Sequence, residues 1–288
     1  MRARAGFDEA AYAAEEMSGI NYLLFLRKLI RDIDAEWDGV AARLAHIMDT
    51  LVNRRAMVVN VTIDGAAWER IAPHVESFLR DLPNRLGRRC EWSISAPPPR
   101  EGLAAPVAVN YVGCAYRLRS VGHDFRGSDL VATRYLRNAY LWEKIRVQGG
   151  AYGAFCSLDH RSGVISFASY RDPNLQATLD VYAAAADYLA NIELDRAELE
   201  KAIIGAIGDL DQHMLPDAKG YAALCRWLAN DPEPFRQRMR EQVLSTTVRD
   251  FRRFGEALRA ARADARVAVL GSADSLSALS SAAISRVL

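Results

Sequence analysis

The chain has 288 residues, enough for one large domain or two ordinary ones, and its 50% apolar and 25% charged composition excludes a disordered protein. A formal net charge of +1 gives no long-range field toward nucleic acid or an anionic membrane. No run of 18 apolar residues is present, so no transmembrane helix is expected, and the start of the chain, with Arg2 and Arg4, lacks the apolar stretch of a secretory signal. Only four of the 37 cationic residues are lysine, a bias that fits a GC-rich genome better than an arginine-dependent function. Cys90, Cys114, Cys156 and Cys225 form no Cys-x-x-Cys pair, which argues against a zinc knuckle and for free thiols in a reducing compartment.

In chain order, residues 8–32 read as a helix with Leu23, Leu24, Leu26, Leu29 and Ile30 on its apolar stripe. Asp34 reads as the N-cap of a second helix carrying Trp37, Val40, Leu44, Ile47 and Leu51. Residues 56–63, with Val58, Val59, Val61 and Thr62, read as a strand, and Asp64 caps a helix over 65–81. One strand is too few for a complete α/β domain. Residues 96–106, with Pro97, Pro98 and Pro99, read as an extended linker outside any packed ladder. The predicted organisation is therefore 1–95 as one partial unit, 96–106 as linker and 107–288 as a second domain.

Beyond the linker the expected order is a strand at 107–118, a helix at 127–147, strands at 152–156 and 164–170 joined by a turn at 159–163, then helices. Asp172 and Pro173 read as N-cap and first helical residue, and Asp195 with Glu198 as a capping box. Helices at 216–229, 233–240 and 246–261, a strand at 267–270 and a last helix after Ser272 complete the chain. Strands joined by hairpins and helix clusters, rather than strict β-α-β alternation, indicate an α+β fold.

The five histidines, His46, His74, His123, His160 and His213, show no His-x-x-x-His or His-x-x-Glu-His spacing, so no helix offers a zinc pair and no metal ligand is assigned. No nucleophile elbow or phosphate loop occurs, and Gly149, Gly150 and Gly153 open a strand rather than a helix. The two adjacent glycines end a helix and reverse the chain. Arg146 and Tyr152 then flank the break six residues apart, either as a helix-end cation and a core aromatic or as two donors able to grip a peptide carbonyl.

The string Tyr140-Leu-Trp-Glu-Lys-Ile-Arg-Val-Gln-Gly-Gly-Ala-Tyr152-Gly resembles the fourth domain of presequence proteases, pitrilysin-type zinc peptidases. Ser169-Tyr170-Arg171-Asp172-Pro173-Asn174, Met17-Ser-Gly-Ile-Asn-Tyr22-Leu-Leu-Phe-Leu26 and Leu215-Pro-Asp-Ala-Lys-Gly220 extend the resemblance over nearly the whole chain. It implies four similar α+β domains in two halves closing around a peptide chamber, each with a mainly antiparallel sheet against a cluster of helices. Residues 1–95 would be the end of the third domain and 107–288 the fourth. Zinc would belong to the N-terminal half, with no cofactor in this chain. The implied partners are that zinc-bearing half and unfolded peptides, with no nucleic acid and no membrane.

The resemblance carries catalytic roles onto Arg146 and Tyr152, which would stabilise the carbonyl oxygen of the substrate, and substrate contacts onto Gly149, Gly150, Tyr170 and Arg171. It implies a zinc endopeptidase whose present chain is inactive alone, bacterial and cytoplasmic, with relatives in mitochondria or chloroplasts. A start partway into a domain favours a fragment of that enzyme. The alternatives are a non-catalytic, peptide-binding subunit paired with a zinc-bearing half and a purely structural interaction protein.

Overall fold

Strand β1 (Arg100–Ala104) lies inside a six-stranded sheet, although the sequence places these residues in the Pro-rich linker. The prolines end just before it. Pro99 has no N–H to give, but its carbonyl accepts from Val267 N at 2.8 Å and so begins the ladder. A computed structural model describes residues 1–87, 91, 93–280 and 282–287; Cys90, expected to be a free thiol, lies outside them.

The other strands are β2 (Asn110–Arg117), β3 (Gly153–Asp159), β4 (Val164–Asp172), β5 (Arg266–Gly271) and β6 (Ala283–Arg286), in the order β3-β4-β2-β5-β1-β6. The β3–β4, β4–β2 and β2–β5 pairs are antiparallel, while β1 runs parallel to both β5 and β6. The fold is α+β, as the sequence indicates, with a mixed sheet. The β3–β4 hairpin turns where expected: Asp159 accepts from Arg161 N and the Ser162 hydroxyl, and Gly163 takes a φ of 69°.

The chain forms two compact units that interleave in sequence. The first comprises Met1–Leu23, Ile94–Asp211 and Arg236–Leu288 and contains the sheet. Its helices include α1 (Glu9–Ser18), α5 (Gly127–Tyr135), α6 (Gln176–Ala190), α7 (Arg196–Leu210) and α8 (Val248–Ala261). Val112, Cys114 and Tyr116 of β2 and Ile165 and Phe167 of β4 share the core with Tyr182, Leu189, Phe251, Phe254 and Leu258. Asp195 caps α7 by accepting from Glu198 N, as predicted. At Gly255 a Cβ would lie 2.4 Å from Ala190 N, so only glycine lets α8 approach α6 this closely.

The stretch expected as one helix over 8–32 divides at Gly19 into α1 and α2 (Ile20–Ala35). Asp34 lies inside α2, and α3 (Trp37–Leu51) starts after Glu36, whose φ of −151° breaks the helical path.

The second unit comprises Leu24–Ser93 and Gln212–Phe235. Asp64 caps its α4 (Gly65–Asp81) through Ala67 N, as the sequence indicates. The strand expected at 56–63 is not one. Among the described residues this run pairs with no strand, and Val58, Val59, Val61 and Ile63 remain 40–51% exposed.

Candidate functional site

Helix α5 begins with Asp129 accepting from Arg126 N and continues without a break as a π-helix over Leu136–Val147. The wider turn is visible at its end, where Gln148 N donates to Glu143 O at 2.9 Å, five residues back. Leu141 and Ile145 are buried in the core, while Trp142 is 46% exposed and Arg146 half-buried.

The chain then leaves the helix within two residues. A Cβ on Gly149 would lie 2.6 Å from Ile145 O, and Gly150 takes a φ of 77°. Ala151 is buried and donates to Ile145 O at 3.1 Å, and Tyr152 N donates to Tyr170 O at 3.1 Å and Arg171 O at 3.4 Å, which starts β3 against β4. Arg146 and Tyr152, separated by this break in sequence, are brought together in space.

Arg146 Nη1 donates to the backbone carbonyl of Tyr152 at 2.7 Å. Its guanidinium carbon lies 4.3 Å from the Trp142 ring centre and 5.6 Å from that of Tyr152. The Tyr152 ring is 65% exposed and meets Tyr170 edge to face at 5.9 Å; Tyr170 meets Tyr111 the same way at 5.3 Å. Arg171 sits 5.6 Å over Tyr170. Among the described residues neither Arg146 nor Arg171 has a carboxylate partner, and the Tyr152 hydroxyl makes no hydrogen bond. The result is an exposed strip of aromatic rings flanked by two guanidiniums whose remaining N–H groups are available to carbonyl oxygens.

Asp172 is not the helix cap the sequence predicts. Helix α6 starts at Gln176, and Asp172 is a fully buried strand end that accepts from Asn174 N at 2.9 Å and from the Thr178 hydroxyl at 2.7 Å. It closes a side-chain turn rather than the helix. Arg171, just before it, takes a φ of 50°, a left-handed conformation rare for a residue with a side chain.

Trp142, Tyr111 and Phe155 are site neighbours that no sequence motif marks. Trp142 was legible as the i−4 neighbour of Arg146 on one helix face. Tyr111 arrives through strand pairing and has no local signal. Phe155 is 53% exposed and lies over Gly153, where a Cβ would meet its ring at 3.0 Å.

Cys114 and Cys156 are buried free thiols and Cys225 is half-buried. Burial pushes the Cys114 thiol up to about 11 and raises that of Cys156 further. Among the described residues no three His, Cys, Asp or Glu side chains lie close enough to share a metal ion, and no helix is long and apolar enough to cross a membrane.

Residues 100–272 match the family described as PreP C-terminal domain. Presequence protease 1 of Arabidopsis thaliana, a chloroplastic and mitochondrial protein, is 40% identical over 270 residues, covering 93% of this chain and 25% of its own length. The mitochondrial presequence protease of Emericella nidulans is 26% identical over 255 residues, covering 86% of this chain and 24% of its own length. The chain thus spans about a quarter of the length of these relatives. A protease from Helicobacter pylori shares the fold, with a TM-score of 0.50, 17% identity and coverage of 73% of this chain and 53% of that one. With a family match across more than half its length and relatives aligned over most of it, the chain belongs to the presequence protease family, in its C-terminal part.

Proposed function

We propose that this chain is the substrate-gripping part of a zinc-dependent endopeptidase, holding peptide backbone with Arg146 and stabilising the developing oxyanion with Arg146 and Tyr152. The observation that carries the reading is their juxtaposition: a guanidinium and an exposed phenol without a hydrogen-bonding partner among the described residues, fixed beside each other at a rigid helix-to-strand break. The described residues contain no ligand cluster for zinc, so the metal that activates water in such enzymes would be held by a polypeptide half outside this chain.

Attack on a peptide carbonyl turns a neutral oxygen into an anion. Donors fixed in advance at that oxygen bind the transition state better than the substrate, and losing one costs about 10²–10³ in turnover. Arg146, which already spends one N–H on Tyr152 O, has further N–H groups for a second carbonyl. Both contacts address backbone, which suits unfolded peptides of varied sequence. Tyr170 and Arg171 would line the same path, with Gly149 and Gly150 allowing the close approach of the chain. Residues 24–93, whose valine-rich run at 56–63 lacks a strand partner among the described residues, fit the end of a preceding domain of the same enzyme.

The test is twofold. The reading frame ahead of Met1 is expected to encode a His-x-x-Glu-His helix. In the enzyme so defined, Tyr152→Phe and Arg146→Ala are expected to lower kcat about 10-fold or more with zinc content unchanged. Near-normal kcat and kcat/KM in both variants would reduce the pair to a helix-end cation and a surface aromatic.

A further inference from the structure

The break between Arg146 and Tyr152 is pinned at both ends to one stretch of the chain, the end of β4 and the turn that follows it. On the far side of the break, Tyr152 N bonds to the carbonyls of Tyr170 and Arg171. On the near side, the Asn174 side-chain amide donates to Gly149 O at 2.6 Å. Pro173 closes the middle, with its Cγ 3.7 Å from where a Gly150 Cβ would stand.

That turn is in turn fixed from beneath. Asn174 N donates to Asp172 Oδ1, and Asp172 Oδ2 accepts from the Thr178 hydroxyl. Asn110, 5% exposed, donates to the carbonyls of Asp172 at 3.2 Å and Asn174 at 3.4 Å, and its own oxygen accepts from the Ser275 hydroxyl at 2.7 Å. A wholly buried carboxylate with no cation in contact among the described residues is an unusual element to bury unless its hydrogen bonds are needed. Here they hold the turn that puts Arg171 into its left-handed conformation and aims the Asn174 amide at Gly149.

We infer that Asn174 is a positioning residue: through its bond to Gly149 O, and backed by Asp172 and Asn110, it fixes the spacing of the Arg146–Tyr152 pair. This rests on the proposed role of that pair, and it adds a residue that touches no substrate. Gly149 lies three residues after Arg146 and three before Tyr152, so a shift at Gly149 moves the two donors relative to each other. A shift of about 1 Å in such a pair can cost on the order of 10²-fold.

The test uses the full 288-residue chain and an unfolded model peptide of mixed sequence. Asn174→Ala, which removes the N–H donor, and Asn174→Asp, which replaces it with a charged acceptor facing Gly149 O, are compared with Tyr152→Phe and with the double variants. Peptide affinity is read by calorimetry and backbone protection by amide exchange. Roughly tenfold weaker binding is expected from either Asn174 variant, with faster exchange at Ala151 and Tyr152 and unchanged exchange in β2 and β4. Adding Tyr152→Phe should then cost less than it does alone, because the two substitutions act on one unit. Asn174→Gln, which keeps the donor, should recover part of the loss. Full affinity in Asn174→Asp, or losses that add fully to that of Tyr152→Phe, would overturn the positioning role. If Tyr152→Phe and Arg146→Ala alone leave peptide affinity unchanged in this chain and turnover unchanged in the enzyme that contains it, it is the proposed function that fails instead.

Discussion

Arg146 reaches across the two-glycine break and holds the backbone carbonyl of Tyr152 at 2.7 Å, so the cation both shapes the site and belongs to it. This double duty has a consequence for substitution. A lysine at 146 could keep the charge and one bond to Tyr152 O, but a single ammonium cannot also present a planar fork to a second carbonyl or stack on Trp142 at 4.3 Å. Arg146→Lys is therefore expected to keep the fold and melting temperature while weakening peptide binding about 10-fold, close to the effect of Arg146→Ala. Calorimetric titration of both variants beside the parent checks this; a lysine variant that binds like the parent would mean charge alone suffices.

The glycines of the break differ in what they tolerate. Gly150 has a φ of 77° with space around its missing side chain, so Gly150→Ala meets only the left-handed penalty, about 1–2 kcal/mol. Gly149→Ala would set a methyl 2.6 Å from Ile145 O, a backbone atom that cannot swing away. Its cost is of the overpacking kind, about 1–3 kcal/mol, and it must displace the π-helix end that carries Arg146. Denaturant unfolding should rank the variants parent, Gly150→Ala, Gly149→Ala in falling stability. The Gly149 variant should lose more peptide affinity than its stability alone explains.

Much of this was legible in the sequence, where the deciding interactions are local. The Asp64 and Asp195 caps, the β3–β4 turn and the spacing of Arg146 and Tyr152 about the glycine pair each depend on residues within a few positions of one another. What could not be read depends on distant partners. β1 looks like linker because the prolines just before it dominate the local signal, yet it is held by β5, which lies more than 160 positions later. Asp172 has the sequence context of a helix cap, but Asn110, 62 positions away, draws the turn to the sheet end instead. The run at 56–63 has the composition of a strand and no neighbour among the described residues with which to be one.

A long-range contact of this kind ties the first residues to the sheet unit. Arg2 makes a two-pronged pair with Glu101 of β1, at 2.7 and 2.9 Å, and reaches Glu15 of α1 at 3.2 Å. Glu101 and Glu15 are 6% and 1% exposed; Glu15 also accepts from Ile20 N at 2.9 Å, but among the described residues Arg2 is the side-chain cation paired with both. Removing it strands two buried carboxylates together, and breaking a buried pair from one side typically costs about 3–5 kcal/mol. Arg2→Met is expected to fall in that range. Combining it with Glu15→Gln and Glu101→Gln should recover part of the loss, since the buried charges are then gone. Urea unfolding of the single and triple variants measures both; an Arg2→Met protein as stable as the parent would show that water, not Arg2, solvates the two acids.

The buried cysteines give a pH-dependent prediction of definite sign. Cys114 of β2 is 3% exposed, and burial raises its thiol to about 11; Cys156 of β3, 4% exposed, is raised in the same direction. Only the thiolate reacts with an alkylating agent, so at pH 8 both should stay unmodified in the folded chain, while half-buried Cys225 is modified. In the unfolded chain the same thiols ionise near their ordinary value of about 8.5. Above that pH the unfolded state holds fewer protons than the folded state, so stability should fall as pH rises from about 8.5 toward 11. Cys114→Ala should flatten part of that slope. Iodoacetamide labelling with peptide mapping, and urea midpoints at pH 7.5 and 9.5, check the two halves. Labelling of Cys114 at pH 8 at the rate of Cys225 would mean that the β2 face opens far more readily than its packing implies.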